Sequence, residues 1–367
     1  MSSAALGHHS GHDGTSHSNQ MRPRRWRRSV HSPLAQQGMH QLHPSEQSGR
    51  QEEGRQAPSQ DVRISSCGQL LLRSGIRMPS LGLGTWDPRR PGECHEAALR
   101  ALALGYRLFD LNVPREEEVA AAVLESGTPR QEIFFLTKLQ PREHGSSQSI
   151  LEACQASLRR LRTKYVDLYL IQTPRGGHLL PTWRAMLQLR DLGLTRAVGV
   201  ANFGVQHLEA LIGSGLELPE VNQVELHVWW QQRELADFCR RHGIVLMAYS
   251  PLGRGRVFGQ TLLSRIAKAC GQTEAELCLR WCLQQGHACV PKSTDAAHLA
   301  ENWAAAQAAG RLDESVLKEL AALDVGRRTC AAASSAQDLP WRDVAQGKPR
   351  QVLQSNQLSC LESASVL

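Results

Sequence analysis

Apolar and polar positions change rhythm twice along this chain. Residues 1–60 follow neither the helical nor the strand period and are rich in His, Ser, Gln, Gly and Arg. Such a stretch buries too little apolar surface to offset the entropy of ordering it, so residues 1–61 are predicted to be a disordered extension. From about Val62 the texture changes. Two short runs, Gln69–Leu72 and Arg77–Leu81, flank Ser74-Gly75 and predict a β-hairpin with a glycine turn. A repeated beat follows. Apolar runs at Leu81–Thr85, Arg107–Leu111, Ile133–Leu139, Val166–Ile171, Ala197–Ala201, Val221–Leu226, Val245–Tyr249 and Cys289–Pro291 alternate with amphipathic segments. The helices begin near Pro91, Arg115, Ser149, Pro181, Val205, Gln231, Thr261, Thr273 and Asp295, with one more over Asp313–Leu323. Leu151, Cys154, Leu158 and Leu161 carry the spacing of one buried helix face. Beyond Asp324 the rhythm fades, and 326–367 reads as an irregular tail in which Trp341 is the candidate anchor.

Strand signals each followed by a helix signal predict a parallel, closed α/β sheet: a (β/α)8 TIM barrel over 62–325, preceded by the hairpin. An open doubly wound sheet would call for a third glycine after the first strand. Gly82-Leu83-Gly84-Thr85-Trp86 lacks it and runs into Asp87-Pro88. In a barrel the ligand site lies at the C-terminal strand ends.

Composition narrows the function classes. The chain has 367 residues, 41% of them hydrophobic, and a net charge of +7 from 42 basic and 35 acidic side chains. No basic stripe with interleaved aromatics crosses the central region, which argues against a nucleic-acid partner. No apolar run reaches ~18 residues, so no membrane span is expected. The 10 cysteines include no CxxC pair, and Cys278 and Cys282 are spaced as neighbours on one helix face. That pattern fits reduced thiols in a core, no metal site and a cytoplasmic protein. The first residues lack the basic-then-apolar order of a secretory signal. Met21–Ser29, MRPRRWRRS, is a basic cluster of the kind that addresses a nucleus or a membrane surface, and its plainer reading is a solvated extension. His8, His9, His12 and His17 are joined by no Cys or carboxylate arrangement that completes a metal site.

The strand ends collect polar groups around one aromatic: Thr85, Trp86, Asp110, Lys138, Gln172, Asn202, Gln223, Tyr249, Ser250, Lys292 and Ser293. Polar side chains converging from separate strands are what a substrate and cofactor pocket requires. LGLGTW, GYRLFD, FFLTK, VDLYLIQ, VGVANF, NQVELH, AYSPLG and VPKS, in this order, resemble the aldo-keto reductase family over roughly Gln69–Leu323.

The resemblance implies a barrel that holds NADP(H) across the strand ends and reduces small aldehydes and ketones, as a monomer. It implies that Tyr249 stacks on the nicotinamide and that Asn202 and Gln223 hold its carboxamide. Thr85 and Trp86 would border the cofactor, Ser250 and Leu252 would meet the pyrophosphate, Lys292 and Ser293 the 2′-phosphate, and Glu301 and Asn302 the adenine. Two departures weaken this set. His298 stands where the family has Arg, and Ala201 where it has Ser. A ring mostly neutral at pH 7 thus replaces a permanently charged fork.

The family's catalytic four are Asp, Tyr, Lys and His. Asp110 and Lys138 match, and Gln172 takes the His position, where an amide N–H can still polarise a carbonyl. The tyrosine position falls on Arg115, and the loop is about two residues short. The chain has four tyrosines. Tyr106, Tyr165 and Tyr169 lie in or before strands, and Tyr249 has its own role. A positioned general acid contributes ~10²–10⁴ in rate, so efficient reduction by the usual route is not expected. The substitute donors are Lys138 itself, Glu116, Glu117, Glu118, His144 and His178. The other reading is a catalytically silent NADP(H)-binding sensor or scaffold on the same barrel, because fold does not choose function.

Overall fold

A computed structural model of the chain describes residues 68–86, 90–330, 333 and 335–339. The sequence expectations for 1–61, including the basic cluster and the histidines, and for Trp341 lie outside the described residues.

β1 (Gln69–Leu71) and β2 (Arg77–Pro79) pair antiparallel, as the Ser74-Gly75 turn predicts. Eight parallel strands follow: β3 (Gly82–Gly84), β4 (Leu108–Asp110), β5 (Phe134–Leu139), β6 (Val166–Ile171), β7 (Thr195–Ala201), β8 (Val221–Glu225), β9 (Val245–Tyr249) and β10 (Ala288–Val290). They lie side by side in chain order. Parallel bridges Leu81–Cys289 and Gly84–Lys292 join the first strand to the last and close the barrel. The amide of Gly84 donates to the Pro291 carbonyl at 3.1 Å, and that of Cys289 to the Ser80 carbonyl at 2.8 Å. Only glycine permits this approach, since a Cβ on Gly84 would sit 2.7 Å from the Val290 carbonyl oxygen.

The helices are α1 (Glu93–Leu104), α2 (Glu116–Glu125), α3 (Ser147–Arg160), α4 (Leu179–Asp191), α5 (Val205–Gly213), α6 (Arg233–Arg241), α7 (Thr261–Ala269), α8 (Glu274–Gln284), α9 (Ala296–Gln307) and α10 (Glu314–Ala321). Their starts follow local chemistry. Ser146 accepts the Ser149 amide at 3.1 Å ahead of α3. Before α8, Thr273 accepts the Glu276 amide at 3.1 Å while Glu276 accepts the Thr273 amide at 2.8 Å. Such reciprocal caps satisfy donors that a helix leaves unpaired. Leu151, Cys154, Leu158 and Leu161 are buried together, as their spacing predicts, and so are Cys278 and Cys282.

Alternation along the strands divides the apolar residues into two bodies. Leu108, Phe134, Leu136, Leu168, Leu170 and Met247 fill the barrel, with Leu70, Leu72 and Met78 of the hairpin packed against them. The intervening residues, such as Phe109, Phe135, Tyr169 and Val224, face the helices. One step further along the inward parity lies the candidate site.

Candidate active site

Asp110 is two residues past Leu108, Lys138 two past Leu136, Gln172 two past Leu170, Gln223 two past Val221, and Tyr249 two past Met247. Because side chains alternate, these positions continue the barrel's inner column to its C-terminal mouth. Polar residues are tolerated there because the strands end and the interior opens.

Asp110 and Lys138 form an ion pair, with side-chain exposures of only 11% and 15%. The second carboxylate oxygen of Asp110 accepts from Gln223 Nε2 at 3.1 Å. Both oxygens are thus occupied, which is how a carboxylate survives near-complete burial. Thr85 bridges the ends of β3 and β4. Its hydroxyl donates to the Asp110 carbonyl at 3.0 Å and accepts the Asn112 amide at 2.9 Å, while Trp86 beside it is 58% exposed.

On the other side of the mouth the Tyr249 hydroxyl donates to Asn202 Oδ1 at 2.9 Å, and Asn202 Nδ2 donates to the Gln172 carbonyl at 3.0 Å. Asn202 and Ser250, each just past a strand end, adopt left-handed backbones with φ of 59° and 51°. Strain of this kind collects where side chains must be aimed. Burial first, and then the Glu225 charge, push the Tyr249 hydroxyl well above its ordinary pKa. Tyr249 is therefore a weak acid, already committed to Asn202. Gln172 contributes a buried side-chain oxygen that has no partner among the described residues. Its terminal amide can turn over, so the same position can offer N–H to a carbonyl.

Arg115 does not face this cluster. It ends a short 3₁₀ turn, Val113–Arg115, and its guanidinium pairs with Glu118 at 2.8 Å. The remaining tyrosines are spent as well. Tyr106 is buried and donates to the Leu299 carbonyl at 3.0 Å, Tyr169 faces the helices, and Arg130 stacks on Tyr165 with its guanidinium carbon 4.2 Å from the ring centre.

The structure corrects the expected loop donors. Glu116 is fully buried, accepting from Thr137 Oγ1 at 2.6 Å and pairing with Arg160 at 2.6 Å. Thr137 points away from the barrel interior by strand parity, so Glu116 belongs to the α2–β5–α3 packing. Glu118 accepts the Cys94 and His95 amides at 3.2 and 3.4 Å and so caps α1. Glu117 and His178 are exposed, and His144 Nδ1 lies 3.2 Å from the Gly177 carbonyl. Lys138 is the candidate donor that the fold leaves at the mouth.

A cavity of about 250 Å³ adjoins the mouth and is lined by Leu252, Lys292, Ser293, His298, Glu301 and Asn302 together with the start of α8. These six come from three separate stretches, and the fold brings all of them together, so they could hold the nucleotide end of a cofactor. Lys292 is exposed and makes no ion pair among the described residues. The wall also carries Glu274, and Glu301 accepts from Thr273 Oγ1 at 2.6 Å. His298 lies 3.9 Å from Asp295. One lysine facing two carboxylates offers a phosphate only modest attraction.

Sequence reasoning missed another buried carboxylate at the mouth, Glu225. It accepts the Thr329 hydroxyl at 2.7 Å, the Cys330 amide at 2.9 Å and His227 Nε2 at 3.2 Å. These bonds strap the segment after α10 across the mouth, where Cys330 Sγ lies 3.3 Å from Ser250 Oγ. Inward parity was the available signal, since Glu225 is two residues past Gln223.

The model of the aldo/keto reductase family matches residues 80–325. The chain belongs to that family. Among its aldo/keto reductase relatives, the glyoxal reductase of Bacillus subtilis is 39% identical over 233 residues, 63% of this chain and 84% of the relative. The methylglyoxal reductase of Escherichia coli O157:H7 is 37% identical over 263 residues, 70% of this chain and 94% of the relative. A crystal structure of an aldo-keto reductase enzyme from a Medee basin deep-sea metagenome library superposes with a TM-score of 0.67 at 34% identity, covering 71% of this chain and 96% of that one.

Proposed function

We propose that the chain is an NADP(H)-dependent oxidoreductase that reduces small aldehydes and ketones slowly, with Lys138 as the proton source. The observation that carries this reading is the enclosed Asp110–Lys138 pair, with Gln223 on the second carboxylate oxygen, at the end of the barrel interior. A bound nicotinamide dinucleotide would supply a hydride to the carbonyl carbon. The alkoxide oxygen then takes a proton from Lys138 Nζ, and the lysine recovers one from water. Asp110 keeps Lys138 in place, and the Gln172 amide orients the carbonyl oxygen. The ion pair must loosen before the proton leaves, which is why turnover is slow. The names of the relatives suggest short 2-oxoaldehydes as substrates.

The second reading is an NADP(H)-binding sensor or scaffold without turnover. It is favoured by Arg115, which stands in the donor's place and is turned to Glu118.

Titration of the full chain with NADPH, followed by cofactor fluorescence, separates the readings. Absence of binding defeats both. Where NADPH binds, its oxidation with methylglyoxal is compared between the wild type and Lys138→Met. Turnover that Lys138→Met abolishes supports the oxidoreductase. Binding without turnover supports the sensor, and turnover indifferent to that change defeats the role given to Lys138.

A further inference from the structure

On the outside of the barrel, α6 and α8 stand apart. A cavity of about 860 Å³ lies between them, floored by the start of β9 and walled by the end of α9 and the residues that follow it. No hydrogen bond or ion pair joins α6 to α8 among the described residues. The cause is legible in the sequence. Residues 304–310 read AAAQAAG, so the wall at Ala305, Ala306, Ala308 and Gly310 carries almost no side-chain volume. A cavity of this size falls within the roughly 300–1,000 Å³ typical of small-molecule sites.

Its charge is one-sided. Arg233, Arg240, Arg280 and Arg311 line it, and Asp237 is the one carboxylate in its lining. Arg240 pairs with Asp237, and Arg233 pairs with Asp324 at 3.1 Å. Arg280 has no carboxylate partner among the described residues and donates to the Gly310 carbonyl at 3.3 Å. Arg311 has neither a hydrogen bond nor an ion pair with them. Ile244, Leu246, Trp281 and Leu283 also border it but are almost wholly buried, so the apolar surface left open comes mainly from Ala306 and Ala308. His287 lies among them, its pKa pushed down to about 4 by burial and then by the Arg240 charge. It is therefore neutral at pH 7 and open to a neutral hydrogen bond.

We propose that this groove is a second small-molecule site, separate from the strand-end pocket, and that it takes an amphipathic anion. The apolar body of the ligand packs against the small-residue wall at Ala306 and Ala308, and its carboxylate, sulfonate or phosphate group meets Arg280 and Arg311. A planar guanidinium without a carboxylate partner is suited to two-point recognition of such groups.

Anilinonaphthalene sulfonate, an apolar ring system bearing one anion, serves as the probe with the full chain. Saturable one-to-one fluorescence enhancement is expected, and excess NADPH should leave it in place. The double variant Arg280→Glu with Arg311→Glu should weaken binding at least roughly tenfold. Ala306→Phe, which fills the groove and leaves every charge intact, should weaken it comparably. Thermal unfolding confirms that each variant is folded. Should the charge-reversed variant fail to fold, Ala306→Phe decides alone. Displacement of the probe by NADPH, or affinity indifferent to Ala306→Phe, overturns the proposal.

Discussion

The two sides of the barrel mouth have fared differently. At the ends of β4 and β5, Asp110 and Lys138 keep a closed, fully bonded geometry, whereas one loop away Arg115, the position where the resemblance places a tyrosine, turns to Glu118. At the ends of β7 to β10, Asn202, Gln223, Tyr249, Lys292 and Ser293 converge, and the two departures that the resemblance implies lie at Ala201, inside β7, and at His298, in α9. Strand parity fixes a side chain's direction from its place in the sheet, so the inner column survives drift elsewhere. A loop has no such constraint.

Lys138→Met breaks the comparison hardest. It should reduce any turnover by at least roughly 100-fold and lower the melting temperature, because Asp110 keeps only Gln223 as a partner. NADPH oxidation and thermal unfolding, measured together, check both effects. Glu116→Gln comes next. It leaves Arg160, whose side chain is 30% exposed, facing a neutral amide and should cost roughly 1–3 kcal/mol in urea unfolding. Per folded molecule, turnover and its pH profile should not move, since Glu116 faces the helices; a shifted profile would return it to the list of donors.

His207 gives the third effect. Burial pushes its pKa from 6.5 down to about 4, and its Nδ1 accepts the Gly204 amide at 3.0 Å. Between those values the unfolded chain binds the extra proton, so stability falls as pH drops from 6.5 through 4. The loss is on the order of 3 kcal/mol. In His207→Gln the slope of urea midpoint against pH should flatten over that window. A smaller change tests the cofactor side. His298→Arg should tighten NADPH about tenfold, some 1.4 kcal/mol, and leave NADH nearly unaffected, as read by fluorescence titration. Arg115→Tyr should do least, changing turnover by less than about threefold, because the turn directs that position toward α2. A large recovery of activity would show that the loop can swing back.

The barrel was legible because its signal is periodic and repeated. Every strand run lies within two residues of an observed strand, and Asp110, Lys138 and Tyr249 fall within one residue of where their runs end, while Gln223 lies inside its run. Glu116 was misread because three consecutive glutamates look alike in sequence. Only the fold reveals that the first faces Thr137 and Arg160 while the third caps α1. The strap on Glu225 was illegible for a different reason. Thr329 is 104 residues away, in a stretch without periodicity, so no local pattern announces the contact.

The joint between β3 and β10 has a further consequence. These strands are only three residues long, and backbone bonds at Ser80–Cys289 and Gly84–Pro291 fasten the ring between them. Lys292 and Ser293 follow directly on that fastening. A ligand held by these two residues would bear on the same few amides that keep the cylinder shut. Deuterium uptake at Gly84 and Cys289 would then slow on binding more than uptake in the longer β5 and β6. The point of circular closure would thus double as a gauge of occupancy, readable without any turnover.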